Sequence, residues 1–93
     1  MHEFSIEDNL NKILQKLLKR DRITYEALMK KIKEAVECEN VKHYKNLRYP
    51  LQELKRGHVR GPFVLTFKYL KSEDKIIFYD FDHHDNIYKS GNG

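Results

Sequence analysis

Phe4 and Ile6 alternate with Glu3, Ser5 and Glu7, the two-residue period of a short, half-buried strand. From Leu10 the period lengthens. Leu10, Ile13, Leu14, Leu17 and Leu18 form one stripe of a helix, with Asn11, Lys12, Gln15, Lys16 and Lys19 on the opposite face. Asp8 or Asn9 stands where a cap is expected, and the Lys/Arg-rich end suits the negative pole of the helix dipole. Asp21-Arg22-Ile23-Thr24 interrupts the stripe. Thr24 is the expected N-cap of a second helix, with Ile23 and Leu28 spaced as a hydrophobic staple. Tyr25, Leu28, Met29, Ile32, Ala35 and Val36 then repeat the helical stripe. Two amphipathic helices joined by so short a turn make an αα-hairpin whose stripes are core, which leaves Met29 without a binding role.

Cys38 to Asn40 ends the second helix. Val41 to Arg56 is mixed, with Tyr44, Leu47, Leu51 and Leu54 as inward anchors among basic residues and Pro50 opposing a regular strand. From His58 the pattern is β. Phe63, Leu65, Phe67 and Tyr69 share one face, while Val64, Thr66, Lys68 and Leu70 share the other. Ser72 to Lys75 is a polar turn, and Ile76 to His83 returns as the second arm of a hairpin. Helices followed by strands predict an α+β domain: a short N-terminal strand, the αα-hairpin, then an antiparallel sheet. The hairpin is expected to cover one sheet face and leave the other open. Residues 1–89 form a single domain on this reading, and residues 90–93 a disordered tail.

Composition narrows the class. Ninety-three residues, 40% of them hydrophobic, suffice for one packed core. No apolar run is long enough to span a bilayer, and the N-terminus lacks a signal-peptide pattern. Cys38 is the single cysteine, which excludes an internal disulfide and a cysteine-based zinc site. A cytoplasmic protein is expected. The net charge of +4 is unevenly spread. Residues 1–41 are balanced, residues 42–71 carry eight basic side chains against Glu53, and residues 72–93 are acidic on balance. A basic central third beside a His/Asp-rich end fits a protein that holds a polyanion, although a solvated basic surface has the same composition.

The chemistry-bearing residues gather late in the chain. His58 and Arg60 are two apart on an extended segment, which puts them on one side with Val59 turned away. Counting outward from the Ser72–Lys75 turn brings residues near 58–62 opposite residues near 83–87, so His58 and Arg60 are expected to approach His83, His84 and Tyr88. Such a group can cleave RNA without a metal. Histidine serves as base or acid near neutrality, and Arg60, Arg56 and Lys55 can hold the phosphate as charge grows in the transition state. Tyr88 can stack on an unpaired base. Other readings stand beside this one. His83 and His84 can be surface residues at a strand end, as can His43. Asp80, Asp82, His83, His84 and Asp85 can bind a divalent metal, although neighbouring strand residues point to opposite faces. Asp85 can simply orient an imidazole, and Asp80 and Asp82 read as solvated.

Three segments resemble the RelE/ParE superfamily of type II toxin–antitoxin toxins. His43-Tyr44-Lys45-Asn46-Leu47-Arg48 is similar to the family's (H)YK-x-L-(K/R) segment after the second helix. Leu54 to Phe67 resembles its basic strand, tight turn and aromatic strand, and His83-His84-Asp85-Asn86-Ile87-Tyr88 resembles its closing H-(R)-x-x-(V/I)-Y motif. The resemblance spans about Phe4 to Lys89. It implies a RelE-like ribonuclease that enters the ribosomal A site, cuts mRNA by 2′-hydroxyl attack and is silenced by an acidic, RelB-like antitoxin, with no metal, cofactor or membrane. Carried over, catalysis falls on His83, His84, Tyr88, Arg60 and His58, and RNA phosphate binding on Lys45, Arg48, Lys55, Arg56 and Lys68. Val64 and His84 stand where the family often has arginine, which shifts phosphate binding to Arg60 and Arg56 and proton transfer to histidine. ParE-like relatives poison DNA gyrase instead, so a gyrase poison or a catalytically silent antitoxin-binding module is the alternative.

Overall fold

The alternation at the N-terminus and the two long stripes become β1 (Glu3–Ile6), α1 (Asp8–Arg20) and α2 (Arg22–Glu37). They are followed by β2 (Lys55–Arg60), β3 (Phe63–Leu70) and β4 (Lys75–His83). This computed structural model describes residues 2–39, 41, 44, 46 and 54–87. The expected anchors Leu47 and Leu51, Pro50, His43 and the tail at 90–93 lie outside the described residues.

The fold is α+β, as the pattern of elements indicates. The sheet order is β1-β4-β3-β2. Strands β2, β3 and β4 are antiparallel neighbours, while β1 pairs parallel with β4, so the sheet is mixed. The helical hairpin supplies Leu10, Leu14, Leu28, Ile32, Ala35 and Val36 to a core shared with Leu65, Phe67, Ile76, Phe78 and Phe81. Phe67 and Phe78 are fully buried, each worth about 1.5–3 kcal/mol by removal from water. Leu18 and Met29 lie at the margins of their stripes and stay partly exposed.

The helix starts differ from expectation. Glu7 precedes α1 without a side-chain capping bond, and Asn9 instead donates to Asp80 Oδ1 at 3.1 Å. Asp21, not Thr24, caps α2: its carboxylate accepts from the Thr24 backbone N–H at 3.2 Å and from the Thr24 hydroxyl at 2.6 Å. Thr24 is therefore the third residue of the helix, and Ile23, 69% exposed, makes no staple with buried Leu28. The sheet face away from the helices is also less open than expected. Val64 and Thr66 are buried there, with Ile87 and Leu54 packed against Val64.

The N-terminal strand is fastened at its outer end. The His2 backbone N–H donates to Val36 O at 3.0 Å, and the His2 ring reaches both the Cys38 carbonyl and the Asp74 carboxylate. Tyr69 donates to the same carboxylate at 2.9 Å. Asp74 has φ +50°, which lets the β3–β4 turn close.

Candidate active site

Two irregularities decide which side chains meet. In the β2–β3 ladder His58 pairs with Val64 and Arg60 with Phe63, so Val59 is the extra residue of a bulge. Residues opposite one another face the same side of a sheet. His58 therefore lies with Val64, away from the helices, whereas Arg60 lies with Phe63 on the helix side, where Val59 also packs into the core. The expectation that His58 and Arg60 share a face is overturned by this extra residue. A second bulge leaves Tyr79 unmatched, because Thr66 pairs with Asp80 and Phe67 with Phe78.

The register places Phe63, rather than residues 58–62, opposite His83. Strand β3 thus separates β2 from β4, and Arg60, Phe63 and His83 form one row across the end of the sheet. Their outer backbones are about 10 Å apart, two strand spacings. The Phe63 ring stacks on Phe81 at 5.7 Å and meets the His83 ring edge-on at 5.8 Å, yet remains 39% exposed. Arg60 Nη1 donates to Thr24 Oγ1 at 3.1 Å, which orients the guanidinium along the seam between β2 and α2. The Thr24 bonds, and secondarily the charge of Arg60, hold the Asp21 carboxyl below its ordinary range.

Beyond β4 the chain turns into a helical turn over residues 84–87. The His84 N–H donates to Pro62 O at 2.9 Å, tying this turn to the β2–β3 turn, where Gly61 has φ +50°. Asp82 brackets the bend, accepting from the His83 N–H at 2.7 Å and from Asn86 Nδ2 at 3.2 Å. Because β4 ends at His83, the two histidines do not diverge as strand neighbours would. His83 Nδ1 accepts from the Asp85 N–H at 3.1 Å and lies 3.9 Å from Asp85 Oδ2, while His84 Nδ1 lies 3.4 Å from Asp85 Oδ1.

The other nominated residues are dispersed. Arg56 pairs with Thr66 and shares with His58 and Lys68 the face away from the helices. Lys55 is drawn to the protein: its Nζ donates to Tyr44 O at 3.3 Å and to Asn46 Oδ1 at 2.8 Å, and burial lowers its pKa. Asp80 is not simply solvated. Burial raises its pKa against the bonds from the Phe81 N–H and Asn9. Lys45, Arg48 and Tyr88 lie outside the described residues. Among the described residues, no three His, Cys, Asp or Glu side chains converge as a metal-ligand set. Thr24, Asp21 and Phe63 were not nominated from sequence. Thr24 carried a signal, as a capping residue, but its bond to Arg60 depends on the bulge.

A helical hairpin laid on a four-stranded mixed sheet in this order is the fold of RelE-type toxins. The structure matches a metal-bound toxin from Helicobacter pylori with TM-score 0.72 and 20% identity, covering 94% of this chain and 99% of that one. It also matches the toxin–antitoxin complex RelBE2 from Mycobacterium tuberculosis with TM-score 0.59 and 16% identity, covering 88% and 96%. In sequence, 89 residues are 51% identical to "Putative toxin RelE4" of Methanocaldococcus jannaschii, covering 96% of this chain and 93% of that protein. No family model matches the chain. The chain belongs to the RelE/ParE superfamily of type II toxin–antitoxin toxins.

Proposed function

We propose that this toxin is a metal-independent endoribonuclease that cuts ribosome-bound mRNA in the A site and so stops translation. The observation that carries the reading is the row Arg60–Phe63–His83 with His84 tied beside it through Pro62 O. It sets a guanidinium, an exposed aromatic ring and two imidazoles along one end of the sheet. A ribose 2′-oxygen bonds to the adjacent phosphorus as its proton passes to an imidazole. The bond from phosphorus to the 5′-oxygen breaks, and that oxygen takes a proton from an imidazolium, leaving a 2′,3′-cyclic phosphate and a 5′-hydroxyl. Arg60 stabilises the charge that develops on the phosphorane, and Phe63 and Tyr88 offer rings for the unstacked bases.

His58, Arg56 and Lys68, on the sheet's other face, together with Lys45 and Arg48, bind RNA phosphates away from the cut, while Lys55 is held by Tyr44 O and Asn46 Oδ1. An antitoxin holds the toxin silent, as the M. tuberculosis relative was solved in complex with one. The excess of basic side chains over residues 42–71 suits an acidic segment that folds on binding.

Induction in a heterologous host is the direct test. Translation should stop with mRNA cut within codons, and His84→Ala, Tyr88→Ala and Arg60→Ala chains that remain folded should each lose the cut. Intact mRNA with DNA damage on induction would replace this reading with gyrase poisoning.

A further inference from the structure

Arginine can only donate hydrogen bonds and an ionised carboxylate can only accept them, so a hydroxyl held between the two has a fixed direction. Thr24 is such a hydroxyl. Its Oγ1 donates to Asp21 Oδ2 at 2.6 Å, which commits its one hydrogen, and accepts from Arg60 Nη1 at 3.1 Å. The relay runs one way, from guanidinium through hydroxyl to carboxylate.

Asp21 is itself fixed by both helices. Its backbone N–H donates to Leu17 O at 2.8 Å and closes α1, while its carbonyl accepts from the Tyr25 N–H at 3.0 Å and opens α2. Its Oδ1 accepts from the Thr24 N–H at 3.2 Å, and Thr24 is buried. A relay that ends on the elbow of a helical hairpin is held by rigid elements at the far end from the site.

We propose that Thr24 and Asp21 are positioning residues for the reaction, tethering Arg60 by one nitrogen and leaving its remaining donors for the phosphate. This catalytic use rests on the ribonuclease reading above, whereas the restraint on Arg60 does not. The interposed hydroxyl decides how much of the guanidinium stays available. A carboxylate in direct contact would take two parallel N–H donors at once. Among the described residues, no carboxylate lies within ion-pair distance of Arg60, and Thr24 is its one hydrogen-bond partner. Beyond that bond the Arg60 side chain is exposed. Arg22, the other cation at this helix start, lies toward Glu26 at 3.6 Å. A free arginine must surrender rotamer freedom when it grips a phosphate. One tethered beforehand surrenders less, and is already aimed when charge develops in the transition state.

The Arg60 Nε–H of the full chain, read by 15N relaxation, tests the restraint without substrate. It should be ordered in the unsubstituted chain and in Thr24→Ser, which keeps the hydroxyl. In Thr24→Val, which keeps the shape alone, its order parameter should fall below about 0.6. Asp21→Asn should release it too, because the amide's one acceptor stays with the Thr24 N–H and its NH2 turns a donor toward the hydroxyl. Cleavage of ribosome-bound mRNA tests the use. Thr24→Val and Asp21→Asn should each lower the maximal rate about tenfold, with half-saturation changed less than about twofold, and Thr24→Ser should restore the rate. Ile32→Val, a core truncation that also lowers stability, should leave the rate unchanged and so separates positioning from a weakened fold. The proposal is overturned if Arg60 is as mobile in the unsubstituted chain as in Thr24→Val, or if Thr24→Ser cuts as slowly as Thr24→Val. A loss confined to half-saturation overturns it as well. A restrained Arg60 in an unsubstituted chain that cuts no mRNA would defeat the ribonuclease reading, and the catalytic use with it, and leave the restraint standing.

Discussion

Arg60 and Thr24 are joined across the seam between sheet and helix, Nη1 to Oγ1 at 3.1 Å, and the same hydroxyl donates onward to Asp21. One side chain thus orients a site cation and completes a helix start. Thr24→Val keeps the shape and deletes both bonds. Its expected cost is about 1 kcal/mol, since Arg60 and Asp21 regain water when released, and urea denaturation measures it.

That link also marks the limit of what the sequence discloses. The helical stripes, the β3–β4 hairpin and the segregation of Leu65, Phe67 and Tyr69 from Val64 and Thr66 follow from local periodicity, and the structure has them. The face on which Arg60 lies does not follow, because the bulge at Val59 is a property of two paired strands. The α2 cap was misplaced on Thr24 for another reason: Asp21 is also a good capping residue, and it takes the position by accepting from the Thr24 N–H. At the closing motif, Asp85 was legible as a partner of His84. Its link to His83 required β4 to end where it does.

Stability should fall on acidification for an identifiable reason. Asp21 and Asp74 are both held below their ordinary 3.8, Asp21 by Thr24 and Asp74 chiefly by Tyr69 and then His2. Groups with depressed folded values contribute fully above the unfolded pKa and lose that contribution as pH falls through the folded one. Asp80 has the opposite sign, since burial raises it and its ionised form disfavours folding near neutrality. Asp80→Asn should therefore raise the melting temperature at pH 7, with the gain vanishing toward pH 3. A thermal scan at both pH values checks this.

Lys55 and Arg56 are adjacent and basic but should separate experimentally. Lys55 is bonded to Tyr44 O and Asn46 Oδ1, so Lys55→Ala should lower the melting temperature. Arg56→Ala should leave it within a degree or two and weaken RNA binding, reducing the salt slope by about 0.7 for one lost phosphate contact on a single strand. Salt-dependent binding titrations beside melting curves distinguish the two.

Gly61 at φ +50° has no heavy atom within 4 Å of where a Cβ would stand, so backbone conformation alone sets the cost of substitution. Gly61→Ala should destabilise by about 1 kcal/mol and Gly61→Asn by less. A cost near zero for alanine, by chemical denaturation, would show that the turn relaxes.

Strand β4 is gripped on both sides, by β3 and, across about seventy residues of chain, by β1 through pairs such as Phe4 with Ile76. The last described strand to leave the ribosome is therefore the one that closes the sheet, and the two histidines follow it immediately. A chain still being synthesised has its helices before it has this closure, and contacts so distant in sequence form late. The sheet, and with it the row of residues at its end, is thereby completed only after the tunnel has released the final segment.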